Sequence, residues 1–336
     1  MNEKTTILAI ETSCDETAAS VVENGRIIKS NVIASSADLQ AQFGGVVPEV
    51  AARKHIEVIS QVIDKSLDQA GETLQTVDAI AATYAPGLIG AVLVGLNYGK
   101  SLAYATKKPF IPVHHIHGHI ASNFLESDVK PPFLCLVVSG GHTQLVNVTE
   151  YNKYEILGQT SDDAVGEAYD KVARLLDLPY PGGPHLDKLA NTGTPSIDFP
   201  RAMLGNNLDF SYSGLKSSVI NYLNTANMRG ENIVKEDVAA SFQKAAIGVI
   251  IDKTKLAIEQ TGATTFACCG GVACNSYLRQ EIQNLTNRLG IKLHIPTPIL
   301  CTDNGAMIGA AAYYQYLYGV VESDYLAING YASMAI

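Results

Sequence analysis

Four of the eight histidines fall within six residues, His114-His115-Ile116-His117-Gly118-His119. On a helix, His115 and His119 stand at i and i+4, share one face, and can chelate a single divalent cation through their imidazoles. His114 and His117 form a competing i, i+3 pair, and only one pair can face a given site. Two nitrogens do not complete a ligand shell, so a distant carboxylate is expected. Asp303, in Cys301-Thr302-Asp303-Asn304-Gly305, sits at a strand-to-helix junction and is the best candidate. An ordinary helix N-cap would explain it equally well.

The run Glu11-Thr12-Ser13-Cys14-Asp15-Glu16-Thr17 puts three carboxylates into one short turn. Such crowding suits a metal, a cationic substrate, or base work by Asp15 or Glu16 with raised pKa values. A solvated acidic turn is the plain alternative. Ser139-Gly140-Gly141-His142-Thr143 carries two glycines that let backbone N–H groups approach an anion, or simply form a turn. Cys269-Gly270-Gly271-Val272-Ala273-Cys274-Asn275 follows a strand and opens a helix, the layout on which a nucleotide phosphate rests. Asn275 would then reach a ribose or base. Asp170 and Asp187 can accept from ribose hydroxyls, with Gly183 of Tyr180-Pro181-Gly182-Gly183-Pro184 allowing close approach. A capped helix followed by a rigid turn accounts for those residues too. Spacing assigns no role to the loop Asp209-Phe210-Ser211-Tyr212-Ser213-Gly214-Leu215-Lys216.

The elements that must hold these groups repeat. Residues 7–22 and 133–148 each read as apolar strand, polar turn, apolar strand, at an offset of 126. Helices are expected at 48–70, 88–106, 237–260, 275–289 and 303–319, with further strands at 78–83 and 264–269. Pro48 stands where a first helical turn tolerates it. Strands alternating with helices give an α/β fold. The division falls near 110–130, which sets an N-terminal lobe at 1–120, closed by a C-terminal helix and tail at 304–336, and a second lobe at 121–303.

Length and composition narrow the class. The chain has 336 residues, 47% hydrophobic and 17% charged, which excludes a disordered protein and predicts about two domains. Six cysteines without a regular framework argue against a secreted disulfide scaffold. No apolar run reaches membrane-spanning length and no leader is visible, so a cytoplasmic protein is expected. The formal charge of −9 argues against a chain that binds nucleic acid unaided.

Taken in order, E-T-S-C-D-E-T, H-H-I-H-G-H, V-S-G-G-H-T, Y-P-G-G-P, F-S-Y-S-G-L-K, G-G-V-A-C-N and C-T-D-N-G-A-M-I span residues 11–308. Together they resemble the bacterial branch of the tRNA N6-adenosine threonylcarbamoyltransferase family, once labelled O-sialoglycoprotein endopeptidase. The resemblance implies the duplicated two-lobe actin/sugar-kinase/heat-shock-protein (ASKHA) fold with an inter-lobe cleft. It implies that His115, His119 and Asp303 hold one metal, iron(II) first and zinc as the alternative. Val137, Val138, Ser139, Gly140, Gly141, Asp170, Gly183, Asp187 and Asn275 would contact the substrate. Archaeal relatives add a Tyr ligand from the strand that carries Val137, which cannot coordinate.

The implied reaction moves threonylcarbamoyl from threonylcarbamoyl-AMP to N6 of adenosine 37 in tRNAs reading codons that begin with A. A smaller paralogue of the same fold (TsaB) and an ATPase (TsaE) are the implied partners, and a separate synthase supplies the adenylate. The apolar helices near 48–106 are the expected interface. Two rival activities share features of the chain. A zinc protease would need the Glu of H-E-x-x-H, and neither His117 nor Gly118 replaces it. A sugar or acetate kinase of the same fold would show ATP-dependent phosphoryl transfer.

Overall fold

A computed structural model describes residues 4–202, 205–319 and 324–336. Five strands build the first sheet: β1 (Thr6–Glu11), β2 (Glu16–Glu23), β3 (Ile27–Ser35), β4 (Ala79–Ala85) and β5 (Phe110–His114), in the order β3-β2-β1-β4-β5. Five more build the second: β6 (Phe133–Val138), β7 (Thr143–Glu150), β8 (Lys153–Gln159), β9 (Thr265–Cys269) and β10 (Lys292–His294), ordered β10-β9-β6-β7-β8. Counted from each sheet's own first strand, the two orders are the same.

The register repeats as well. Glu11 pairs with Ala18 across the antiparallel β1/β2 ladder, and Val137 pairs with Gln144 across β6/β7, each shifted by the 126 residues of the sequence echo. β1 then runs parallel to β4, and β6 parallel to β9. Both first strands are buried along their whole length. That explains their near-continuous apolar runs, because a central strand covered on both faces has no polar side to show.

The chain forms two compact units, Met1–Pro131 with Glu150–Lys153 and Pro296–Ile336, and Pro132–Thr149 with Tyr154–Ile295. Residues 121–131 group with the first unit for a local reason. The guanidinium of Arg26 donates to the carbonyls of Phe124, Ser127 and Val129, tying that segment to the β2–β3 turn.

In the first unit, the helices Pro48–Ala70 and Ile89–Thr106 bury Ile59, Val62, Ile63 and Leu96 against Leu8, Ile10 and Ile80. The small residues of Ile89–Thr106 face the sheet. A Cβ on Gly95 would collide with the side chain of Thr12, so the helix can approach the acidic turn only with glycine there. The helix Gly305–Leu317 packs against β1 and β2. Among the described residues, no helix is long and apolar enough to cross a membrane.

Candidate functional site

The histidine run folds as expected from its spacing, with His114 ending β5 and a helix covering His115–Ala121. The two histidine pairs separate. His114 and His117 stack on each other with ring centroids 4.7 Å apart, and His114 Nε2 reaches the carbonyl of Met334 at 3.3 Å. His115 and His119 turn the other way, toward Asp303. Nε2 of His115 lies 3.6 Å and Nε2 of His119 3.2 Å from Asp303 Oδ1.

Asp303 is not the helix cap. Asn304 takes that role, its Oδ1 accepting the N–H of Met307 at 3.0 Å. The carboxylate one residue earlier is therefore left to face the imidazoles.

One ligand atom from each of His115, His119 and Asp303 lies within 4.8 Å of the other two, so the group can hold a metal ion. Two further observations fit a cation. His119 has no exposed surface, and neither of its ring nitrogens makes a hydrogen bond among the described residues. Such a burial is costly unless something else takes the lone pair. Burial also opposes a charge on His115, yet the Asp303 and Glu11 carboxylates outweigh it and raise the imidazole to about 9. The two carboxylates favour positive charge beside them, and two imidazoles with a carboxylate form a donor set suited to zinc or iron(II).

The acidic turn is not one cluster of three carboxylates. Glu11 ends the buried β1 and points inward, where burial alone would raise it. The His115 charge and hydrogen bond, with a bond from Thr83, hold it below the usual carboxylate range. Asp15 and Glu16 remain together. Burial, then the charges of Asp15 and Asp303, push Glu16 up to about 10.

The turn itself is bolted down. Leu88 donates its N–H to Ser13 O at 2.8 Å, Thr12 Oγ1 donates to Ala91 O, and Ser36 donates to Asp15 O through both N and Oγ. His55 of the helix Pro48–Ala70 donates from Nε2 to Cys14 O, and its Nδ1 accepts from Thr17 Oγ1 at 2.7 Å. Thr83 and His55 are missed from sequence, and Glu11 is read there only as one of three carboxylates in the acidic turn. A carboxylate closing an apolar strand was the available signal for Glu11, since a buried charge needs a partner.

In the second unit, the glycine loops come together. Val137 and Val138 end β6 with no exposed surface, and Val137 pairs with Cys269 on β9, so the loops from Ser139 and from Gly270 leave adjacent strand ends. Gly270 has φ +92°, and a Cβ there would collide with Val138 O. At Gly140, Gly141 and Gly183, by contrast, a Cβ would meet nothing within 4 Å. Packing does not ask for glycine at those three positions.

Asp170 Oδ1 accepts the N–H groups of Gly182 and Gly183 at 2.9 and 3.1 Å. Asp187 accepts the N–H and hydroxyl of Ser276. Asn275 caps the helix Ser276–Leu289 through Leu278 N–H, and its Nδ2 donates to Gln243 Oε1 at 2.9 Å and toward Tyr169 OH. These side chains shape the loops. The Asp209–Lys216 loop is pinned by Asp162, whose carboxylate accepts from Ser211 Oγ and from Ser213 N and Oγ.

Comparison with known proteins gives the family and the fold. The tRNA N6-adenosine threonylcarbamoyltransferase family model (TsaD) matches residues 27–310. A Clostridium kluyveri protein of that name is 55% identical over 327 residues, covering 96% of each chain. A Clostridium botulinum (Kyoto, type A2) protein of the same name is 55% identical over 339 residues, covering 100% of this chain and 99% of its own. Among solved structures, T. kodakarensis HypF superposes with a TM-score of 0.66 at 15% identity, over 96% of this chain and 49% of that one, a likeness of fold alone. The fold is thus the two-lobe α/β arrangement of the ASKHA class. With a family model over most of its length and near full-length relatives at this identity, the chain belongs to the tRNA N6-adenosine threonylcarbamoyltransferase family.

Proposed function

We propose that the chain transfers the threonylcarbamoyl group of threonylcarbamoyl-AMP to N6 of adenosine 37 in tRNAs reading codons that begin with A. The observation that carries this reading is the convergence of His115, His119 and Asp303 in a chain of this family. Adenine N6 is a weak nucleophile, because its lone pair is delocalised into the ring, so the acyl donor must arrive activated. A mixed anhydride with AMP as leaving group supplies that activation.

His115, His119 and Asp303 would hold iron(II), with zinc as the alternative, and the bound ion supplies Lewis acidity and a template for the donor's threonyl and carbamoyl oxygens. The glycine loops suit a phosphate-bearing ligand such as AMP. Backbone N–H groups of Ser139, Gly140 and Gly141 are donors for its phosphate, and the open positions at Gly140, Gly141 and Gly183 leave room for it. Val137 and Val138 supply the apolar floor beneath that loop. Asp170, Asp187 and Asn275 hold the loop shapes and line the nucleoside. Asp15 orients the incoming amine and accepts its proton, beside Glu16, whose Oε1 accepts from Ser35 Oγ.

Partners complete the reading. Ile56, Leu93, Val94, Tyr98, Leu102 and Ala105 line an open apolar groove of about 710 Å³ on the helices Pro48–Ala70 and Ile89–Thr106. A smaller subunit of the same fold, TsaB, covers it, and the ATPase TsaE joins the assembly. With a net charge of −9, the chain relies on such partners to attract tRNA. The reaction is cytoplasmic. Labelled threonine, bicarbonate and ATP, given with tRNA and the other pathway components, test the proposal. Label should enter tRNA with the wild-type chain and not with Asp15→Ala or His115→Ala, and incorporation that survives both would refute it.

A further inference from the structure

Glu11 has no exposed surface, and the groups its carboxylate bonds are Ser13, Thr83 and His115. Oε1 accepts the N–H of Ser13, Oε2 accepts the hydroxyl of Thr83 at 2.5 Å, and His115 Nδ1 stands 3.1 Å from the same Oε2. No step of the transfer described above uses this carboxylate.

A neutral imidazole carries one N–H and one lone pair, and the partner of one nitrogen decides which is which. Both Glu11 oxygens already receive hydrogens, so the His115 contact is met by a hydrogen on Nδ1. Ser13 Oγ, 3.2 Å from Nδ1, can donate or accept and decides nothing. Nε2 then holds the lone pair, and it is the nitrogen beside Asp303. We infer that Glu11 is a positioning residue, which by taking the Nδ1 hydrogen of His115 keeps Nε2 aimed at the cation. The inference rests on the metal reading of the triad. Hydrogen-bonded carboxylates behind ligating histidines fix ring orientation and raise ligand basicity.

Glu11→Gln keeps the shape and changes the chemistry. A glutamine can turn an N–H toward Nδ1, which would move the ring hydrogen to Nε2 and block ligation. The test titrates zinc into the chelator-treated full-length chain against a chromophoric chelator, and records 15N-histidine ring spectra of the zinc-loaded protein. Wild type should bind one zinc, with His115 ligated through Nε2 and protonated at Nδ1. Glu11→Gln should bind about 10- to 100-fold more weakly while its melt still shows a folded protein. Unchanged affinity in Glu11→Gln overturns the inference, as does zinc on Nδ1 of wild-type His115. The wild-type spectrum decides alone if Glu11→Gln does not fold. Wild-type protein that takes up no zinc sinks the metal reading instead.

Discussion

His55 Nε2 lies 2.9 Å from the carbonyl oxygen of Cys14, so the helix Pro48–Ala70 grips the turn that carries Asp15 and Glu16. The same ring accepts from Thr17 Oγ1 on the far side of the turn. Replacing it leaves the buried Thr17 hydroxyl without this partner, a loss of about 1–3 kcal/mol, and frees the part-buried Cys14 carbonyl at a smaller cost. His55→Ala should therefore lower stability in urea denaturation. It should also reduce kcat more than it raises KM for the adenylate donor. A destabilised variant with full kcat would show that the turn does not need this anchor.

Gly183 separates substrate contact from folding. Because a Cβ there meets nothing within 4 Å, Gly183→Ala should leave stability within about 0.5 kcal/mol of wild type. Its methyl group occupies the space assigned to the nucleoside, so KM for threonylcarbamoyl-AMP should rise several-fold. Thermal melts and donor titrations read the two effects separately.

Much of this was legible in advance, for identifiable reasons. The 126-residue echo survives as a shared register because strand pairing depends on alternation and turn length, both visible in the letters. The i, i+4 histidines were readable because a helix fixes their common face. Glu11 is legible only in part: the sequence groups it with Asp15 and Glu16 in one acidic turn, and the burial of β1 on both faces erases the period that would set it inside. The choice between Asp303 and Asn304 as cap was not readable, since both residue types suit that position. The hydrogen bonds by which Asp170, Asp187 and Asn275 hold their loops go largely to backbone groups that sequence does not locate.

Buried histidines set the acid limb of stability. Burial lowers His55, brings His114 down to about 4 and His117 to about 3, while in the unfolded chain each titrates near 6.5. Below pH 6.5 the unfolded state takes up protons the folded state refuses, so stability falls as pH drops toward 4. Glu16, raised to about 10, opposes this, but three histidines outweigh one carboxylate. Above pH 6.5 the sign reverses. His115, raised to about 9, and Glu16 lose protons in the unfolded chain first, so stability declines toward pH 9. Chelator-treated protein should melt highest near pH 6.5, and a melting temperature that climbs steadily to pH 9 would contradict this balance.

The exposed Ile56 tests the partner surface, since its side chain lines the groove yet is 65% exposed. Ile56→Glu should change stability by no more than about 0.5 kcal/mol. It should abolish co-elution with the smaller paralogous subunit and, with it, tRNA modification. Normal co-elution would place that contact elsewhere on the chain.

One cation should sit between His115, His119 and Asp303, and metal analysis of protein purified without oxygen will detect it. Wild type should carry about one divalent ion per chain, and His119→Ala, folded by its melt, should carry almost none. Equal metal content in the two proteins would contradict the account.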